Sequence, residues 1–336
     1  MTEGKENCRL LWQKTEKKEA KVLRIYGESP NIILPEQIAG YPLTQIGAYC
    51  FSAFEHLPEK GSWEDTYLEA DGSLKKNQTE ADLHELSGNY VESVFLPGTV
   101  REIENCAFYN CSRLKKLSIG CGTQEFGSDV FMNCRNFDRV SVRCGIEKKT
   151  GIRQLLHRIS SNMEVCFLGE DGPEAVLVYP EYSEAYDEIT PAHVFGRKIT
   201  GEGFRARQCF TDGVVNLQQY DEVFPKACVE ESEKTLARMA LNRLCYPKGL
   251  TGHSRDIYEA YIKEHAGNIG RRMVNEKNLE RLSFLCEKHY FSEQEVIACI
   301  EAAAEAEWTE GTAALMRWKR EYDTEDKAGR YQFDAF

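Results

Sequence analysis

Apolar residues recur along the first half of this chain with a fixed step. Val91-Glu92-Ser93-Val94-Phe95-Leu96, Leu114-Lys115-Lys116-Leu117-Ser118-Ile119 and Phe137-Asp138-Arg139-Val140-Ser141-Val142 are apolar at positions one, four and six, each unit 23 residues after the last. Phe108-Tyr109-Asn110-Cys111 recurs at the same step as Phe131-Met132-Asn133-Cys134. A period in the twenties over an L-x-x-L-x-L core predicts a solenoid in which each turn gives one short strand. Positions one, four and six point inward, and positions three and five point to the concave face. The concave residues are then Ser93, Phe95, Lys116, Ser118, Arg139 and Ser141.

The pattern changes along the chain. Leu10-Leu11-Trp12 and Val22 to Tyr26 flank the charged stretch Lys14 to Lys21 and read as a hairpin capping the open solenoid end. Ile32-Ile33-Leu34-Pro35 opens a first repeat that closes on Ile46 and Phe51, the interval later found in Ile103 and Phe108. The polar segment between interrupts the repeats and predicts an inserted loop with one short helix near Glu80–Leu86. Gly151–Ser160 has helical spacing, and the apolar runs around Asp171-Gly172 predict a hairpin closing the sheet. From Leu217 onward the spacing is helical, with Ser254 as an expected N-cap and Ser292-x-x-Glu295 as an expected capping box. The predicted organisation is a capping hairpin at 1–30, repeats at 31–150 with an insert at 55–89, a solenoid cap and connector at 151–215, a helical domain at 216–322 and a flexible tail at 323–336.

The unit Val94-Phe95-Leu96-Pro97-Gly98-Thr99 through Ile103, Ala107-Phe108-Tyr109-Asn110-Cys111 and Leu114 resembles the BspA-type leucine-rich repeat family. Gly40-Tyr41-Pro42-Leu43-Thr44-Gln45-Ile46-Gly47 is similar to that family's first-repeat variant, and the likeness covers roughly residues 30–145. Gly120-Cys121-Gly122 replaces the proline turn in the third unit. Tyr179 to Ala192 and the helices beyond look like the trailing region of a group of Gram-positive anaerobe proteins. The fold class implied is α+β: a short leucine-rich-repeat solenoid followed by an all-helical, repeat-like domain. The resemblance also implies an adhesin as one possible role, since several relatives are surface adhesins.

Composition narrows the function classes. With 42% hydrophobic and 11% aromatic residues, the 336-residue chain can bury a sizeable core. A net charge of −12 predicts neither a nucleic-acid partner nor an anionic membrane surface. The N-terminus is polar and no stretch approaches the length of a membrane span, so no leader and no membrane insertion are expected. Thirteen cysteines in a long chain predict reduced, mostly buried thiols and a cytoplasmic protein, and the resemblance implies a bacterial one.

Candidate chemistry is sparse. Cys111 and Cys134 read as a packed ladder, because repeat spacing alone explains them and no C-x-x-C occurs. The histidines form neither H-E-x-x-H nor H-x-H, and the chain has neither G-x-S-x-G nor a P-loop. Gly201-Glu202-Gly203 lacks a third glycine, and its glutamate would repel a phosphate. Glu181, Glu184, Asp187 and Glu188 read as a solvated acidic helix or loop, with Arg197, Arg205 and Arg207 as salt-bridge partners. No catalytic residue, metal or cofactor is expected. The expected function is a non-enzymatic scaffold that binds another protein through the concave face and the helical domain. A ligand-binding protein or enzyme with a site at 179–207 is one alternative, and an adhesin is the other.

Overall fold

A computed structural model describes residues 8–54, 56–59, 61–68, 83–189 and 194–320. The strands in chain order are β1 Cys8–Lys14, β2 Ala20–Gly27, β3 Asn31–Ile33, β4 Gln37–Ile38, β5 Tyr41–Ile46, β6 Glu64–Leu68, β7 His84–Glu85, β8 Ser93–Phe95, β9 Glu102–Ile103, β10 Lys116–Gly120, β11 Glu125–Phe126 and β12 Arg139–Arg143. Then come α1 Ile152–Leu156, β13 Met163–Gly169, β14 Gly172–Tyr179, β15 Ser183–Ile189, β16 Val194–Thr200, α2 Gly203–Ala206, β17 Phe210–Thr211, β18 Val214–Val215 and α3 Leu217–Glu230. The remaining helices are α4 Glu233–Cys245, α5 Gly252–Glu264, α6 Ala266–Asn275, α7 Leu279–Glu287 and α8 Glu293–Glu305, with a further helix over 309–320. The chain forms two compact units, Met1–Glu231 and Ser232–Phe336. The fold is α+β: a solenoid followed by a helical region.

The 23-residue step becomes strand register. One sheet runs β14-β13-β12-β10-β8-β3, and its strands from β3 to β13 are parallel. Leu117 lies opposite both Val94 and Val140, and that ladder continues to Ile32 and Val165. All five are buried. Sliding one strand by one residue would turn this apolar ladder to solvent, so the pattern fixes the register. The second sheet runs β11-β9-β5-β2-β1-β6, where Ile46, Ile103 and Phe126 form the matching inner ladder.

The interior is filled by stacked repeat residues. The Phe51 and Phe108 rings lie 4.6 Å apart, and Phe108 and Phe131 lie 5.5 Å apart. Each buried thiol of the ladder is satisfied by the preceding turn: Cys111 Sγ donates to Phe51 O at 3.1 Å and Cys134 Sγ to Phe108 O at 3.0 Å. The ladder is packing, as the spacing predicts. The left-handed turn positions recur as well. Asn110 and Asn133 have φ of 63° and 64°, a conformation asparagine tolerates better than most residues. Asn133 Nδ2 donates to Asn110 Oδ1 at 2.7 Å, tying one turn to the next.

Burial pushes the Cys134 thiol up from 9.0 to about 12. The folded state therefore keeps this proton over a range in which the unfolded chain has lost it, so stability falls as pH rises from about 9 towards 12. Cys50, Cys111, Cys286 and Cys299 shift the same way for the same reason. Urea midpoints at pH 8 and pH 10.5 should show the loss, and Cys134→Ala should flatten part of the slope. A flat profile in the wild type would refute it.

The cap and the insert form one structure. β1 and β2 pair as the expected hairpin, and β2 runs parallel to β5. The described part of the insert differs from the predicted loop and short helix. β6 pairs antiparallel with β1, and Trp12 Nε1 donates to Thr66 Oγ1 at 2.9 Å. At the expected helix, His84–Glu85 is a strand on β2, and Leu86 N donates to Ile25 O at 2.9 Å; residues 80–82 lie outside the described residues. The open edges of the hairpin offered unpaired backbone groups, and pairing with them outcompetes an isolated turn of helix.

The far end of the solenoid closes with α1 and the antiparallel β13–β14 hairpin, as the sequence predicts. Three residues of the acidic run depart from the expected helix or loop: Glu181 precedes β15, but Glu184, Asp187 and Glu188 lie in it, paired antiparallel with β16 across seven residue pairs, so local charge gives way to strand pairing. The fully buried Arg207 binds this end together. It donates to the carbonyls of Leu156, Ile159, Ser161, Pro180 and Gly203 at 2.5 to 3.2 Å. A Cβ at Gly203 would fall 1.9 Å from Pro180 O, so only glycine allows this approach.

The helix α3 belongs to the first unit. Its buried Tyr220 hydroxyl donates to Val178 O at 2.7 Å and accepts from Val178 N at 2.9 Å, which satisfies the outer edge of β14. In the second unit, Ser292 and Glu295 form the expected capping box of α8. At α5 the N-cap is Thr251, which accepts from Ser254 N at 3.2 Å. Ser254 is thus in the first turn, because an equally good cap stands three residues earlier. The tail at 323–336 lies outside the described residues.

Thirteen unpaired thiols were expected. Cys121 and Cys144 instead form a disulfide with a Cα–Cα distance of 5.3 Å, and the other eleven cysteines are in no disulfide. The physical reason is the repeat itself. The two residues hold equivalent places just past β10 and β12, so the 23-residue step brings them side by side.

Candidate interaction surface

The outer face of the six-stranded parallel-rich sheet is built from two rows of side chains. One row reads Asn31, Ser93, Lys116, Arg139 and Glu164; the other reads Ile33, Phe95, Ser118, Ser141 and Cys166. All six residues predicted for this face fall in these rows. Ser93, Lys116 and Arg139 stand in one, and Phe95, Ser118 and Ser141 in the other. Their inward neighbours Val94, Leu117, Val140 and Val142 are buried.

Two apolar side chains sit side by side on the face. Ile33 is 56% exposed and Phe95 37%, and the register places them opposite one another on β3 and β8. Phe95 has a partner that the sequence pattern did not single out. The Arg143 guanidinium lies 3.8 Å from the centre of its ring and donates to Ser118 Oγ and Leu96 O. Burial pushes the Arg143 guanidinium down, against an opposing pull from Glu36. Asn31 Oδ1 accepts from Ser93 Oγ at 2.6 Å, and Asp138 lies 3.6 Å from Arg139. Lys116 has no ion pair among the described residues. The face therefore combines an apolar pair with three cations and one acid, Glu164, in a chain whose net charge is −12.

Ile33 was visible in the sequence. Ile32-Ile33-Leu34-Pro35 aligns with Val94-Phe95-Leu96-Pro97, and the structure pairs the two strands in that register. The insert hid this by lengthening the step. Arg143 follows the third V-x-V unit and has Gly120 as its repeat equivalent, so no recurrence pointed to it.

Residues 179–207, the alternative site, bring their charges together in pairs. Arg197 Nη2 lies 2.7 Å from Glu184 Oε1, and Arg205 pairs with Glu202. Arg207 gives its donors to backbone carbonyls. His157 Nε2 lies 3.1 Å from Arg207 O, and burial holds its imidazole below the usual range. The side chain of Glu188 lies outside the described residues. A depression of about 390 Å³ lies elsewhere, lined by Ala53, Gly88, Asn89, Asn110, Ser112, Asn133 and Arg135. Its amides and hydroxyl bond partly to one another, as Ser112 Oγ does to Asn89 Oδ1. Among the described residues no three of His, Cys, Asp and Glu are placed to hold a metal ion, and no helix is long and apolar enough to cross a membrane.

Comparison with known proteins supports the reading of the repeats. Residues 77–152 match the family described as BspA type leucine rich repeat region, in six copies. A search of curated proteins finds no match. A solved structure of a leucine rich cell surface protein from Faecalibacterium prausnitzii A2-165 is 18% identical, with a TM-score of 0.27, over 52% of this chain and 44% of that one. This chain thus spans less than half the length of that protein, and a likeness at that level says nothing about function.

Proposed function

We propose that this chain, which carries BspA-type leucine-rich repeats over residues 77–152, is a non-enzymatic scaffold that binds another protein through the outer face of its parallel sheet. The observation that carries this is the exposed pair Ile33 and Phe95, set beside Lys116, Arg139 and Arg143 on a rigid sheet. An aromatic ring with a stacked guanidinium, next to an aliphatic side chain, is the composition of an interface hot spot. The cations favour an acidic partner segment, and the apolar pair favours a Leu- or Phe-type anchor in it. The strands hold these side chains in fixed register, so little ordering entropy is lost on binding.

Pull-down from the native host with the wild-type chain should recover a specific partner. Phe95→Ala combined with Lys116→Glu should reduce capture at least about tenfold while leaving the melting temperature within a few degrees. Unchanged capture by this double variant would remove the face from the interface.

The Cys121–Cys144 disulfide favours a second reading, in which the chain works in an oxidising compartment as an adhesin. Fractionation of the native host decides between the two. Recovery at the cell surface with the bridge oxidised supports the adhesin, and recovery in the cytosol supports the scaffold.

A further inference from the structure

We propose that the Cys121–Cys144 bridge is a redox switch that holds Arg143 over Phe95 when oxidised and releases it when reduced. Its consequence for binding rests on the function proposed above; the switch itself does not. The bridge starts one residue beyond the last pair of the β10–β12 ladder, Gly120 opposite Arg143. Cys144 is the residue next to Arg143, so the covalent tie fixes the backbone from which the guanidinium reaches out. That reach is long: Arg143 crosses β10 at Ser118 and ends on Leu96 O, just past β8. It has no carboxylate ion pair among the described residues. Two neutral acceptors and one ring keep a partly desolvated cation in place, and its seat therefore depends on where residue 143 sits.

The neighbouring turns show that the tie is local. The register puts Gly98 at the equivalent position one turn earlier, so no thiol stands there to continue a covalent ladder. Cys111 and Cys134 are also 23 apart, but each donates to a carbonyl inside the core and they stay free. The covalent link therefore occurs at the step that carries Arg143.

The two sulfurs differ in access. Cys144 is 4% exposed, whereas Cys121 is at the surface of the turn and half-buried. A low-molecular-weight thiol of the glutathione class attacks Cys121 Sγ as its thiolate. The S–S bond breaks, and Cys144 leaves as a thiolate that takes up a proton. A second small thiolate then attacks the sulfur of the first, and Cys121 leaves and is protonated in turn. One protein disulfide and two small thiols become two protein thiols and one small disulfide, a two-electron exchange that runs backwards with the oxidised form of the same couple.

The full-length chain tests this in both redox forms. Mass spectrometry after alkylation should find Cys121 and Cys144 protected in the oxidised protein and modified after treatment with reduced glutathione under native conditions. Hydrogen exchange should rise at least about fivefold at residues 93–97 and 139–146 on reduction, with the stacked phenylalanine core unchanged. Cys121→Ser with Cys144→Ser should match the reduced form. If that variant fails to fold, the reduced and alkylated wild type takes its place. Arg143→Gln should show fast exchange at 93–97 in both redox states. Partner capture should fall about fivefold or more on reduction and become insensitive to redox state in Arg143→Gln. Slow exchange at 93–97 in the reduced protein overturns the proposal, as does a bridge that glutathione cannot reach without unfolding. If no partner is captured in either state, the binding function fails, while the exchange measurements still decide the switch.

Discussion

Replacing Phe108 with alanine should destabilise the solenoid unit by about 3–5 kcal/mol. The ring is wholly buried and stacks between Phe51 at 4.6 Å and Phe131 at 5.5 Å, so truncation opens a hole between two other rings. The backbone has little freedom to collapse into that hole. Phe108 N donates to Val130 O at 3.0 Å, and Phe108 O accepts from Cys134 Sγ at 3.0 Å. Both neighbours are tied to the same residue, which places the cost toward the top of the range for large-to-small changes. A unit of this size should lose roughly 10 °C in melting temperature. Phe95→Ala is the control, because its ring is 37% exposed and should cost under about 1 kcal/mol. A Phe108→Ala loss as small as that of Phe95→Ala would mean that the stack is not the core of the unit. Phe108→Leu should recover most of the loss, since it refills much of the volume.

The contrast between these two phenylalanines shows what the sequence could reveal. Phe108 recurs as Phe131 at the period of the repeat, and a recurring large apolar residue in a solenoid is an inward one. Phe95 stands at an alternate position between Val94 and Leu96, so the pleat turns it outward. Period and alternation together gave both sheet faces, the thiol ladder and all six residues of the candidate surface. Outside the period, the two hairpins and the capping box carried local signals of their own, whereas pairings without a local signal stayed hidden. β6 belongs to the insert and finds β1 by antiparallel pairing, for which the repeat carries no signal. The acidic run around Glu184 has the composition of a loop but the partner of a strand. The Cys121–Cys144 pair had the right spacing, yet Cys111 and Cys134 share that spacing without bonding. Direction separates them, since Cys111 and Cys134 point into the core whereas Cys121 and Cys144 meet beside a surface turn. Spacing alone does not report direction once the strand has ended.

Arg207 is the residue whose importance the sequence conceals most completely, and Arg207→Met should cost about 3–5 kcal/mol. Its five carbonyl partners come from residues 156 to 203, including the end of α1, the residue just past β14 and the start of α2. Carbonyls leave no trace in side-chain composition, so an arginine near acidic residues read as a salt bridge to them. Among the described residues it forms no ion pair with a carboxylate, and of the carboxylates only Glu231 acts on it from a distance. Burial pushes its guanidinium down to about 10, and the rings of Tyr182 and Tyr179 lie 5.1 and 6.0 Å away. Methionine can fill the space but donates nothing, which leaves several buried acceptors unpaired at about 1–3 kcal/mol each before water enters to satisfy some of them. Arg207→Lys keeps the charge but has three donors on one nitrogen, too few and too close together for acceptors arranged around a planar fork. It should recover less than half of the loss. Chemical denaturation of the three proteins checks the order, wild type above lysine above methionine. Equal stability of lysine and wild type would show that charge, and not the fan of hydrogen bonds, holds the far end of the solenoid closed.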